Sequence, residues 1–296
     1  MSTLRYQLDG QWYRGNTHLH STFSDGMKPY EELAKLYRDS GYDFLFLTDH
    51  WVPAHITPPV TDDGLLWFNG IELNGPDEGG QEYHIVCLGD FHDIDDTLPL
   101  EEALQRASDQ GGFIILAHPF WTGNSLADTQ KFHFDACEIL NYVCQCEIGK
   151  GDGLIHYSYM LERNPALLGI ASDDAHFSSD SPMWKGGWLM VNARERTHES
   201  ILSAIRAGNY YSTSGPEFYD ISVCDDRIHV ETSPVQFIKL VGPAWKGHGR
   251  AIGMLENAEP ITSADFDIPH GWKYAYIEIE DRQNRRAWTN NLLIEE

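Results

Sequence analysis

Two histidines, His18 and His20, stand two residues apart in the stretch NTHLHSTFSDG, Asn16 to Gly26. Side chains alternate faces along a strand, so both imidazoles point the same way and offer two nitrogens to one metal ion. Asp25 follows where a chain leaving a strand end can fold a carboxylate back over the same site. The pair alone is weak evidence, because 14 histidines in 296 residues produce this spacing by chance about once. The weight comes from the groups that join it. Asp49 and His50 end YDFLFLTDH, Glu72 ends LLWFNGIEL, and His84 sits near the start of YHIVCLG. His118 ends FIILAHP, Glu138 and Asn141 close DACEILN, and Asp173, Asp174 and His176 close ALLGIASDDAH.

These groups need elements to position them, and the chain supplies strand and helix in alternation. Strands are expected at Trp12 to His18, at the apolar runs just quoted, and at Tyr83 to Gly89; helices are expected at Pro29 to Asp39, Leu100 to Gln110 and Gly153 to Arg163. Near-continuous apolar runs suit strands buried on both faces, as in an α/β fold with a parallel sheet. In such folds sites form where strands end, because strand termini converge there and loops close over them. Singly, each His or carboxylate is more often a hydrogen-bonded structural group or a solvated turn. Packing gives no reason for their shared placement, which points to a metal site.

Composition bounds the rest. The net charge of −24 and a pI near 4.8 argue against a surface that tracks long nucleic acid. MSTLRYQLDGQWYRG cannot act as a secretory signal and no segment reaches about 18 consecutive apolar residues, so no membrane association and a cytoplasmic location are expected. The five cysteines (Cys87, Cys137, Cys144, Cys146 and Cys224) form no CxxC set, which disfavours a disulfide framework or a thiolate zinc ribbon.

HLHSTFSDG, LTDH, GIEL, AHP and SDDAH, in this order and spacing, resemble the polymerase and histidinol phosphatase (PHP) family of metal-dependent phosphoesterases over about residues 12 to 215. Within it the chain looks closest to the carbaryl-hydrolase-like branch, an impression that the tail RAWTNNLLIEE fits. The resemblance implies a distorted (β/α)7 barrel in residues 1–215 with a small C-terminal antiparallel β-domain in 216–296. It implies that His18, His20, Glu72 and Asp174 hold one metal, that Glu72 bridges to a second bound by His84 and His118, and that Asp25, His50 and His176 hold a third. Asp173 competes with Asp174 for its role; spacing favours Asp174, two residues before His176.

Imidazole and carboxylate ligands without thiolate suit two to three divalent ions of zinc, manganese or iron. Two cations sharing Glu72 would lower the pKa of a bridging water enough to supply hydroxide, with Asp25, Asp174 and His176 completing the catalytic set. Lys185 is a candidate phosphate contact and Asn141 a further substrate-binding residue; Asn74, Trp51, His55 and His133 have loop readings that are at least as good. Past Gly215 and Pro216, alternating segments predict antiparallel strands. Trp245, Trp272, Tyr274, Tyr276 and Trp288 there suit core packing and docking on the barrel better than a carbohydrate-stacking face. The leading function is hydrolysis of a phosphate ester of a small metabolite or nucleotide. A carbamate or carboxylic ester hydrolase on the same metals, or a non-catalytic metal-stabilised module, are alternatives, and the oligomeric state is open.

Overall fold

A computed structural model describes residues 3–4, 6, 8–53, 64–224, 227–243, 250–253 and 259–294. His55, Trp245 and the Asp225–Asp226 turn lie outside the described residues. A short β1 (Thr3–Leu4) precedes seven strands: β2 (Gln11–Asn16), β3 (Phe44–Leu47), β4 (Leu66–Pro76), β5 (Glu82–Leu88), β6 (Phe113–Leu116), β7 (Ala136–Asn141) and β8 (Leu168–Ser172). Then come β9 (Trp188–Ala193), β10 (Tyr210–Thr213), β11 (Phe218–Cys224), β12 (Arg227–Val235), β13 (Phe237–Val241), β14 (Arg250–Gly253), β15 (Ile261–Asp267), β16 (Tyr276–Glu280), β17 (Arg286–Thr289) and β18 (Leu293–Ile294). The helices are α1 (Tyr30–Arg38), α2 (Leu100–Asp109), α3 (Pro119–Thr122), α4 (Tyr142–Ile148), α5 (Leu154–Leu161) and α6 (His198–Ala207). None of these helices is long and apolar enough to cross a membrane.

The strands β2 to β8 lie side by side in chain order, in a mixed α/β arrangement. Pairing is parallel from β2 to β4 and from β6 to β8, but β5 runs antiparallel to both its neighbours. Only residues 77–81 separate β4 from β5, too short a connection for a parallel crossover, so the chain turns straight back. The ladders among the described residues do not close into the distorted (β/α)7 barrel expected. The outer edge of β2 pairs antiparallel with β9 from Gln11 to Gly15, which uses the hydrogen bonds a returning β8 would need. Across that seam run an isolated bridge, Leu19 to Ala175, and two bonds, His20 N to Ala175 O at 3.2 Å and Asp174 N to His18 O at 3.0 Å.

Helices cover the outside for ordinary reasons. In α1, Glu31 and Glu32 in the first turn and Lys35 and Arg38 in the last match the helix dipole, and Leu33, Ala34 and Tyr37 face inward. The sheet continues beyond β9 through β10, β17, β16 and β13 to β14, while β11, β12 and β15 form a second sheet. Phe218, Ile228 and Val230 on one sheet share a core with Ile277, Ile279 and Ala287 on the other. Tyr274, Tyr276 and Trp288 are buried in the same core as Ile71, Leu73 and Tyr83 of the β4–β5 region. These aromatics therefore pack against the strands that carry the candidate site and present no stacking face.

The C-terminal segment is tied to those strands by Asn290, which is 1% exposed. Its Oδ1 accepts from Gly169 N in β8 at 2.9 Å, and its Nδ2 donates to the carbonyls of Gly208 and Tyr210, both at 3.1 Å. Replacing it by Ala removes the partner of the Gly169 N–H and of the Gly208 carbonyl, each costing about 1–3 kcal/mol less any water that enters, while the Tyr210 carbonyl keeps the Tyr6 hydroxyl. Asn290→Ala is expected to lower the urea midpoint with an unchanged slope. A midpoint equal to the parent's would show that the tail does not brace β8.

Candidate metal centre

The site is built on strand ends. Leu19 is fully buried among Leu33, Leu45 and Leu47, so the alternation of an extended chain turns His18 and His20 the opposite way, into the site. His50 follows β3 and bridges to Glu72 in β4. His84 pairs opposite Asn74 near the start of β5. Because β5 is reversed, its beginning lies at the rim where its neighbours end. His118 and Asp174 follow β6 and β8 at φ of 25° and 58°, backbone conformations that non-glycine residues adopt only where the surroundings impose them.

Glu72 is the hub. Its Oε2 lies 3.0 Å from His18 Nε2, 3.1 Å from His20 Nε2 and 3.3 Å from His50 Nδ1. Its Oε1 lies 2.8 Å from His84 Nδ1 and 3.4 Å from His118 Nε2. Asp174 Oδ1 adds a second carboxylate, 3.2 Å from His18 Nε2 and 3.1 Å from His20 Nε2. At the open side Asp25, 56% exposed at its side chain, sits 3.4 Å from His176 Nε2 and 3.8 Å from His50 Nε2. All nine side chains expected from the sequence thus lie together, most of them walling a cavity of about 460 Å³.

The donor set fits cations better than protons. Both nitrogens of His20, Nδ1 of His50 and Nδ1 of His118 are buried without a hydrogen-bond partner. His20 Nε2 nevertheless lies within 3.1 Å of oxygens of both Glu72 and Asp174, so it approaches them at angles a hydrogen bond does not use. Groupings compact enough for one ion include His18, His20, Glu72 and Asp174, and His20, Asp25, His50 and His176.

Charge follows the same pattern. Burial opposes a charge on His18, but Asp174, Glu72 and Glu138 together hold its pKa well above the usual value. Burial likewise opposes a charge on His20, and the adjacent carboxylates of Asp174 and Glu72 raise it to about 9. Burial would raise Glu72, yet the surrounding imidazoles, His18 foremost, hold it well below the carboxylate range. Asp174 is lowered in the same way. His50, with burial dominant, is lowered.

Two expected substrate contacts are placed elsewhere. Asn141 is fully buried behind the site: its Nδ2 donates to Glu138 at 3.0 Å and to Asp174 at 3.1 Å, and its Oδ1 caps α4 at Cys144 N. It orients carboxylates and has no surface to offer a substrate. Lys185 does not line the cavity; its ammonium lies 4.3 Å from the centroid of Trp184 and its backbone N–H donates to Asp173. Asp173 itself accepts from the N–H groups of residues 185–187 and from Tyr37 Oη, away from the imidazoles. His133 is an exposed neighbour of Asp135, and Trp51 donates to the carbonyl of Asn74.

Sequence reasoning gave no role to Glu138 and Asp49. Glu138 accepts from His18 Nδ1 and the backbone N–H of His118, both at 2.8 Å, and from Ser172 Oγ at 2.5 Å. It fixes the tautomer that turns His18 Nε2 toward Glu72. Asp49 accepts from the N–H and hydroxyl groups of Ser21 and Ser24, fixing the loop that carries Asp25. Asp49 follows the end of β3, the signal that identified the others, whereas Glu138 lies inside β7. Trp121, Val143, Glu147, Ser178 and Ser181, which also line the cavity, belong to helices and loops that carry no comparable mark.

No protein-family model matches the chain, and no curated protein matches it. Among solved structures the chain is similar to a two-domain protein containing a predicted PHP-like metal-dependent phosphoesterase from Bacteroides vulgatus ATCC 8482. The TM-score is 0.52 at 18% identity, over 98% of each chain, which shows a shared fold.

Raised imidazoles and lowered carboxylates affect stability with opposite signs. In metal-free protein His18 and His20 stabilise the fold fully below about 6.5, and His20 loses this contribution as pH rises through about 9, His18 as pH rises through its own raised value. Glu72 and Asp174 contribute above the ordinary carboxylate pKa and lose that contribution only in acid, as pH falls through their lowered values. The chelated protein is therefore expected to have a lower Tm above about pH 9 than near pH 6, and saturating zinc or manganese is expected to flatten this slope by replacing the protons. Scanning calorimetry of both forms checks it; a chelated Tm that holds constant over this range contradicts the charge arrangement described.

Proposed function

We propose that this protein is a metal-dependent phosphoesterase acting on a small phosphorylated molecule. The observation that carries the reading is the Glu72 carboxylate, whose two oxygens face two sets of imidazoles and so can hold two cations at once. His18, His20, Glu72 and Asp174 would hold one, Glu72, His84 and His118 a second, and Asp25, His50 and His176 a third. The shared fold supports the reading, as does the mixed imidazole and carboxylate donor set, which suits zinc, manganese or iron. Bound there, divalent cations would lower the pKa of water and neutralise charge on phosphoryl oxygens.

The chain's own groups prepare that chemistry. Glu138 holds the Nδ1 proton of His18 and keeps Nε2 free to face inward. Asn141 bonds to both Glu138 and Asp174, so the two buried acids keep their directions. The open side at Asp25, His50 and His176 leaves room for the ester and for the departing alcohol. In the balanced reaction a P–O bond forms to water oxygen as the ester P–O bond breaks, and a water proton passes to the leaving alkoxide. In this reading residues 1–215 carry the chemistry and 216–296 brace them.

Hydrolysis of a carbamate or carboxylic ester on the same groups is the second reading. It is favoured by the absence of Lys and Arg among the described residues lining the cavity.

Protein purified without chelator is expected to carry two to three transition-metal ions by elemental analysis. Glu72→Ala is expected to reduce that content and to lower kcat/KM for phosphomonoesters by about a thousandfold. Glu138→Ala is expected to weaken metal binding by about 10- to 100-fold, and His229→Ala, in the second sheet, to change neither. The assay covers phosphomonoesters, phosphodiesters and aryl carbamates; turnover of the carbamates alone moves the assignment to the second reading, and full activity in Glu72→Ala refutes both.

A further inference from the structure

The cavity also describes the part of the substrate that does not react. Apart from the groups that converge on Glu72, Asp174 and Asp25, its described walls are Trp121, Val143, Cys144, Glu147, Ser178 and Ser181. This wall has one aromatic face, one carboxylate, two hydroxyls and no cation.

Trp121 stands beside the inner groups. Its ring centroid is 5.2 Å from that of His84 and 5.1 Å from that of His118, at interplanar angles of 69° and 79°, and the residue is 41% exposed. It therefore walls the site while leaving indole surface open. Glu147 lies three and four residues after Cys144 and Val143 on α4, so all three share one helix face. Cys144 and Val143 are buried and Glu147 is exposed, which places its carboxylate one turn farther out, at the mouth. Phe120, next to Trp121 in sequence and outside the cavity lining, carries a cation, Lys150 Nζ, 5.8 Å from its centroid.

A phosphate held among the inner groups leaves the rest of the molecule between an open indole and a carboxylate. A second anionic group there would meet Glu147, and the described cation Lys150 lies over Phe120 and does not line the cavity. A purely apolar group would use Trp121 and Val143 but gain nothing from Glu147. We propose, resting on the phosphoesterase reading, that the site takes phosphate esters whose alcohol carries an ammonium group, seated on Trp121 and facing Glu147.

Phosphocholine and 3,3-dimethylbutyl phosphate test this, because they differ in little more than the charge of a quaternary nitrogen replaced by carbon. With metal-loaded protein, kcat/KM is expected to favour phosphocholine by about tenfold, and Glu147→Gln and Trp121→Leu are each expected to bring the ratio toward one. Calorimetric titration of both compounds into the three proteins reads the same preference without turnover. Charge-selective binding with no hydrolysis of either ester would retire the phosphoesterase reading and keep the ammonium site. Equal affinities for the two compounds in the parent protein, including no detectable binding of either, or a ratio that both substitutions leave unchanged, would overturn the ammonium site.

Discussion

One buried carboxylate surrounded by five imidazoles, Glu72 with His18, His20, His50, His84 and His118, is the arrangement on which the rest depends. An ion taken out of water costs several kcal/mol unless its partners are well placed, so Glu72 requires firm positioning of each ring. It has that because it lies in β4, paired on both sides by β3 and β5. The other buried acids divide into two kinds. Asp174 faces imidazoles, as Glu72 does, whereas Asp49 and Asp173 face backbone N–H groups and hydroxyls. The first kind creates a demand for cations, and the second holds the loops that shape the cavity. Glu138 joins the two, accepting from a ring and from a backbone N–H.

The charge of the whole molecule bears on what approaches. At −24, the surface repels a dianion over roughly a Debye length, about 8 Å at physiological salt. On the proposed phosphoesterase reading, attraction for phosphate would therefore be local, inside the cavity, and would depend on cations held among the imidazoles. A neutral or zwitterionic molecule meets less of the outer repulsion.

Much of the site was legible because one signal repeats: an apolar run ending in His, Asp or Glu. The signal works for residues whose chemistry and whose strand are adjacent in sequence, as at His50, Glu72, His118 and Asp174. It does not reach Trp121 or Glu147, whose place depends on how α3 and α4 turn after their strands. Asn141 stands next to the rim in sequence, which suggests a substrate contact, although its carboxamide lies beneath two acids. Lys185 is a candidate phosphate contact by its place just after His176, but the N–H groups of residues 185–187 wrap Asp173 and its ammonium lies over Trp184. The strands β9 and β10 carry no such mark, each being short and flanked by glycine or a helix end, and β9 is what occupies the edge of β2 and keeps the ladder open. The reversal of β5 was available in principle, since PDEGGQ is too short to carry a crossover.

The brace between Asn290 and β8 joins residues more than a hundred positions apart, and β1 pairs with β18 across nearly the whole chain. Contacts of such sequence separation form late, because the intervening loop must close before they gain anything. During synthesis the strands bearing His18 through His118 emerge well before β17, whereas the edge of the sheet at β10 stays unpaired until β17 arrives. The nascent chain therefore holds clustered imidazoles and carboxylates together with an open strand edge, a state in which edge-to-edge association competes with completion of the sheet.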